Sequence, residues 1–285
     1  MIVLAVVCAI LGAASNALGT VFQRKAARSV PRGGGISLVM TLARIPAWRI
    51  GVLGVIGAAV FQALALVNGP LALVQPLFIL ELPFALLFYA PLLHHRLPRE
   101  GWWAVGGVVV GLALILGAAA PSGGRNQAPM SHWVPVLVVC LGLMAAAVLA
   151  ARSSHSSLFR AASLATAAAI GNALTAALMK SATGRLATDG FAAFLATWQT
   201  YGFAIVGVCS LLLLENSLQA GLLAASQPAM TITDATASLL IGVTLFGEHI
   251  RTGWFLLPEI AGGALLLWGV YRLTRAVPNV VSMVK

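Results

Sequence analysis

A chain of 285 residues that is 60% hydrophobic and only 8% charged, with a mean hydropathy of +0.97, is not a soluble globular domain, where about a quarter of residues carry charge. Its net charge of +10 comes from 17 lysines and arginines scattered through short connections rather than gathered in one stripe, so it marks membrane topology, not a nucleic-acid surface. Cys8, Cys140 and Cys209 each lie inside an apolar run without a CxxC or a neighbouring histidine, so neither a disulfide framework, a metal centre nor a cofactor is indicated.

Taken in chain order, the apolar runs predict nine membrane-spanning helices, since a span needs about 20 residues. They fall at 2–23, 50–68, 70–93, 101–120, 133–151, 159–180, 194–214, 218–246 and 254–273. The first has only a poor cleavage site at Ala13-Ala14-Ser15 and no basic residues ahead of it, so it is kept as a span and not a signal peptide. Segment 33–49 has too short an apolar stretch to cross and carries Arg44 and Arg49, which reads as a surface-lying segment with a re-entrant one as the alternative.

Orientation follows from the basic residues. With the N-terminus outside, thirteen lysines and arginines fall on the inner side, and four, Arg125, Lys180, Arg185 and Arg251, on the outer. The positive-inside bias therefore predicts an outer N-terminus, a cytoplasmic C-terminus and a multi-pass protein of the inner (plasma) membrane.

Laid over itself at an offset of 152, the chain aligns residues 69–117 with 221–269 without a gap, and about 14 of 49 positions are identical. The matches include Gln75/Gln227, Pro76/Pro228, Gly111/Gly263 and Gly117/Gly269. At an offset of 156, Asn16-Ala17-Leu18 matches Asn172-Ala173-Leu174, and Arg24 matches Lys180. The expected architecture is all-α: a first repeat over 1–120, a linker 121–158 holding the span 133–151, a second repeat over 159–275 and a tail 276–285. One linking span turns the second repeat upside down. Such inverted repeats underlie alternating access in many secondary transporters, whose sites lie near the bilayer midplane.

Two acids occupy that depth. Glu81 aligns with Thr233, and its neighbour Leu82 with Asp234. An ionised carboxylate at the centre of a span costs at least ~2.5–3.5 kcal/mol, so it needs a partner, a cavity or a proton. Gln227, Thr231, Asp234 and Ser238 follow at steps of four, three and four and share one helical stripe, which reads as lining a wet pathway. The face of Glu81 instead carries Val74, Phe78, Ala85 and Phe88, which makes it the drier acid and the better candidate for a proton-binding switch.

Pro76, Pro83 and Pro228 are expected helix breaks that free the carbonyls of Ala72, Ile79 and Ala224 beside Gln75, Gln227 and the acids. Among the other polar residues inside spans, Asn16, Gln62, Asn68, Asn172, Gln199 and Gln219, Gln62 is placed nearest the depth of the acids, and the rest are read as ties between helices. Glu100, Asp189, Glu215, Glu248 and Glu259 fall at or near span ends, where water makes a charge cheap. Glu259, about a turn inside, is placed in an outer vestibule. No phosphate loop, HExxH or nucleophile with a base at helical spacing is present, so an enzyme is not expected.

The run Gly69-Pro70-Leu71-Ala72-Leu73-Val74-Gln75-Pro76-Leu77, the basic end of the first span in Val21-Phe22-Gln23-Arg24-Lys25-Ala26, and Gln227-Pro228 through Phe246-Gly247-Glu248 resemble the drug/metabolite transporter superfamily. The nine-span layout is similar to its NIPA-type magnesium transporters and their bacterial relatives. Where those carry an acid three positions before an asparagine, this chain has Ala59 and Gln62, while Glu81 and Asp234 fall where that family is not acidic. The resemblance implies a transporter; with the reading of the residues it gives the expectation of a secondary transporter of a small polar or cationic solute, and the residues themselves put Glu81, Asp234, Gln75, Gln227, Thr231, Ser238 and Gln62 at its site. The alternatives are a divalent-cation carrier using Glu81 and Asp234, a flippase for a lipid-linked headgroup and a non-transporting scaffold. The expected partners are the solute and the lipid bilayer, with self-association left open.

Overall fold

The computed structural model of the protein describes residues 1–28, 44–92, 99–220, 223–251 and 253–276. Most of segment 33–49 and of the tail 276–285 lies outside the described residues. Among the described residues nine helical stretches are long and apolar enough to cross a membrane, so the chain is an all-α multi-pass membrane protein. Helices suit that setting because every backbone bond closes within the segment.

In chain order these are α1 (Ile2–Arg28), α2 (Pro46–Asn68), α3 (Leu71–Leu77) continued through a 3-10 turn (Phe78–Leu80) into α4 (Glu81–Leu92), and α5 (Arg99–Ala119). Then come α6 (Met130–Ser153), α7 (Ser157–Ala196), α8 (Trp198–Ala220), α9 (Leu223–Phe246) and α10 (Leu256–Ala276). Two-residue strands β1 (Ser122–Gly123) and β2 (Glu248–His249) pair antiparallel. Proline acts as expected at Pro76, since α3 stops one residue later and the chain tightens into the 3-10 turn. Pro83 sits in the first turn of α4, where little is broken. Pro228 departs from expectation: α9 runs through it as one helix, so the matched prolines do not make matched breaks.

The helix opened by Ser156, whose hydroxyl accepts from the Phe159 N–H, is far longer than the run 159–180 suggested. It turns only at Gly190, whose φ of 84° lies in the left-handed region. Its alanines, among them Ala161, Ala165, Ala168 and Ala177, are buried, and small side chains let α2, α6, α8 and α9 pack closely on it. Within the first half α1 packs on α2 and on α4. Across the halves the helices matched by the internal repeat meet each other: α5 lies along α10, and α3 along α9. At the α5–α10 contact a Cβ on Gly111 would stand 2.6 Å from the Leu266 nitrogen, so the backbones touch directly there.

One end of the bundle is closed by polar contacts. The start of α3 meets the end of α9, and Asn126 and Gln127 of the loop before α6 donate to the carbonyls of Val67 and Ser181 at 3.1 and 2.7 Å. The Arg125 and Arg251 N–H groups donate to the carbonyls of Phe246 and Ala119. Among the described residues α2 packs on α7, whereas α8 does not pack on α1 to a comparable extent.

Candidate functional site

Each acid is held by an asparagine. Asn16 of α1 donates to Glu81 Oε2 at 2.8 Å, and the Thr20 hydroxyl lies 3.4 Å from Oε1. Asn172 of α7 donates to Asp234 Oδ1 at 3.1 Å. The two pairs span nearly equal separations, 65 and 62 positions, and their asparagines are the residues that the repeat aligns. Depth agrees too: Glu81 stands ten residues below Leu71 and Asp234 twelve below Phe246, which at 1.5 Å per residue puts them about 15 and 18 Å from the closed end, near the middle of a core about 30 Å thick.

Glu81 thus meets polar partners that its helical face did not predict. An unbroken α-helix would set Glu81 in line with Val74 and Phe78, but the 3-10 turn at Phe78–Leu80 winds three residues per turn and rotates everything after it. That rotation brings Glu81 to α1 and its polar groups.

Around the acids the expected residues separate. Gln62 reaches Gln75, not the carboxylates, and donates to its Oε1 at 3.1 Å, while Gln75 Nε2 is buried and unpartnered. Thr231 spends its hydroxyl on the carbonyl of Gln227 one turn back. Ser238 is fully buried with no hydrogen-bond partner. Ala72 faces Gly242 closely enough that a Cβ there would stand 3.5 Å from its own. One turn further in, on α3 and α9, lie Gln75 with Pro76 and Ser238, so two buried donors occupy the layer between the acids and the closed end.

The layer above was missed in the sequence. Lys180 and Glu248 form an ion pair of 2.7 Å with both side chains buried. Glu248 also accepts from the N–H groups of Leu71 and Ala72 at 2.6 and 2.9 Å, capping the first turn of α3. Lys180 donates to the Gly69 carbonyl at 3.1 Å and lies 4.8 Å from the centre of the Phe246 ring. Glu248 is not the solvated span-end charge expected, and Lys180, counted on the outer side, belongs to the packed interior rather than to an outer connection. The match of Arg24 with Lys180 was the available signal, because it placed the lysine at a fixed step from Asn172 on the same helix.

Among the described residues no three His, Cys, Asp or Glu side chains gather where they could hold a metal. The remaining polar feature is Glu259 of α10, which lines a separate cavity with apolar walls.

The chain is 30% identical over 255 residues to an uncharacterized protein of Corynebacterium glutamicum, a match that covers 87% of this chain and 86% of the relative. It belongs to the same family as that protein. No protein-family model matches the chain, and no solved structure matches it.

Proposed function

We propose that this protein is a secondary transporter, similar in design to the drug/metabolite transporters, that moves a small polar or cationic solute by alternating access. Protonation of a mid-span carboxylate is coupled to that movement. The observation that carries the reading is the doubled pair, Asn16 with Glu81 and Asn172 with Asp234, which sets one hydrogen-bonded acid in each half at matched depth. A buried carboxylate is costly in a bilayer, and two of them held in the same way suit binding and release of a cation or proton better than they suit stability.

Two features support movement between facing states. The equivalent helices α5 and α10, and α3 and α9, meet across the halves, as an inverted repeat arranged about a pseudo-two-fold axis requires. Among the described residues the packing of α2 on α7 has no comparable counterpart in α8 on α1, the asymmetry expected of a bundle shut on one side. In this reading the closed end is the outer face of the plasma membrane, with the N-terminus outside and the C-terminus in the cytoplasm. The divalent-cation reading has less support, since magnesium favours several oxygen ligands and among the described residues no acid or histidine cluster forms.

The test is uptake into proteoliposomes of a solute found by thermal-shift screening, because ligands of the folded state raise its apparent stability. Asp234→Asn and Glu81→Gln are each expected to abolish uptake or its dependence on pH. Unchanged uptake in either variant removes that acid from the mechanism.

A further inference from the structure

The cavity beside α10 lies apart from the central acids. It has a volume of ≈ 370 Å³ and is walled by α3, α5, α9 and α10, large enough to seat a drug-sized molecule. Its α9 wall is formed by Thr231, Ile232, Ala235, Thr236 and Leu239, a face turned about a third of a turn away from Asp234, with Thr231 at the edge nearest to it. The two acidic sites therefore lie against different faces of the helix. Beside the cavity Ile232 and Ile260 are exposed, so the groove opens sideways into lipid rather than along the axis of the bundle.

Its polar side chains are few: Glu259 and two threonines, Thr231, whose hydroxyl is given to the Gln227 carbonyl, and Thr236. Glu259 is the single ionisable residue in the wall, and no described residue forms an ion pair or hydrogen bond with it. Ala72 also lines the groove, and its carbonyl has lost its intrahelical donor because Pro76, another wall residue, has no N–H. The walls offer oxygen acceptors and negative charge inside an apolar sleeve. Hydrocarbon tails would leave those acceptors unmatched, whereas an amine on an apolar body would satisfy them and neutralise Glu259.

We infer that this groove is a binding site for amphipathic organic amines, entered from the bilayer, with Glu259 as the counter-ion. It is distinct from the central site and does not depend on the transport reading.

The test is saturable binding of tritiated propranolol, an aliphatic secondary amine tethered to a naphthyl ring through an ether-linked propanol chain, to the full-length protein in detergent. All variants are first checked for a monodisperse elution profile. Glu259→Gln should weaken binding roughly tenfold, the loss a single charge-assisted contact produces. Leu267→Trp, which fills the groove and keeps the acid, should remove binding, while Asp234→Asn and Glu81→Gln should bind as the unmodified protein does. An excess of 1-methoxynaphthalene, which keeps the ring and lacks the amine, should not displace the probe. The inference is overturned if Glu259→Gln binds normally, if Asp234→Asn abolishes binding, if no saturable binding occurs, or if the neutral ring competes, which would make the groove a seat for lipid tails. Loss of uptake in the central-acid variants with binding intact separates the two sites.

Discussion

Lys180 and Glu248 stand 2.7 Å apart with both side chains shut away from solvent, although 68 positions separate them in the chain. The pair joins α7 to the turn after α9 and, through the Leu71 and Ala72 N–H groups and the Gly69 carbonyl, to the start of α3. Three segments from both halves are thus tied at one end by two charges.

Removing one of those charges leaves the other buried and unpaired, which typically costs ~3–5 kcal/mol. Lys180→Met should therefore lower the thermal stability of the detergent-solubilised protein strongly. The double variant Lys180→Met/Glu248→Gln should recover part of the loss, because it removes the orphaned charge. By contrast, the exposed Arg185–Asp189 pair at 2.9 Å is a surface i,i+4 contact, and Asp189→Ala should shift stability by no more than ~1 kcal/mol.

The two asparagines should act through the acids they hold. Asn172→Ala and Asn16→Ala are each expected to reduce solute uptake several-fold. Asn172→Ala/Asp234→Asn should be no worse than Asp234→Asn alone, as residues joined in one contact are non-additive. Uptake kinetics of the single and double variants check this, and simple additivity would mean that Asn172 acts elsewhere.

The glycines matched by the repeat are not equivalent in the structure, and this can be measured. A Cβ at Gly111 would meet the Leu266 nitrogen at 2.6 Å, and one at Gly269 the Val108 nitrogen at 2.7 Å, while Gly117 and Gly263 have nothing within 4 Å. Gly111→Ala should cost about 1–3 kcal/mol by forcing α5 and α10 apart. Gly117→Ala and Gly263→Ala should be nearly neutral or slightly stabilising, since alanine favours a helix over glycine. Thermal unfolding of the three variants distinguishes them.

Much of this was legible in the residues. Apolar runs are a direct consequence of the solvent, so all nine spans could be read, and errors fell at the edges, as at α7, where alanine-rich sequence continues the helix beyond the apolar core. Glu81 and Asp234 could be picked out because a charge amid apolar residues is rare and costly. Their partners could not. Asn16 and Asn172 are ordinary polar residues in sequence and gain meaning only from α1 meeting α4 and α7 meeting α9. The surroundings of Glu81 were misjudged because one proline and a 3-10 turn shift helical phase, which periodicity cannot register. The burial of Lys180 and Glu248 has a different cause: whether a span end is buried depends on which loop folds over it, here the segment carrying Asn126 and Gln127.

The most direct measurement is two-sided thiol reactivity at Gln75, which lies in the layer between the acids and the closed end. In a background with Cys8, Cys140 and Cys209 replaced by alanine, Gln75→Cys is reconstituted in one orientation and treated from either face with a membrane-impermeant thiosulfonate. Alternating access predicts modification from both faces in one population, with reaction from the closed face accelerated when Glu248→Gln loosens the Lys180 pair. Modification from one face only, with or without Glu248→Gln, or no modification from either, would contradict a carrier built around Glu81 and Asp234.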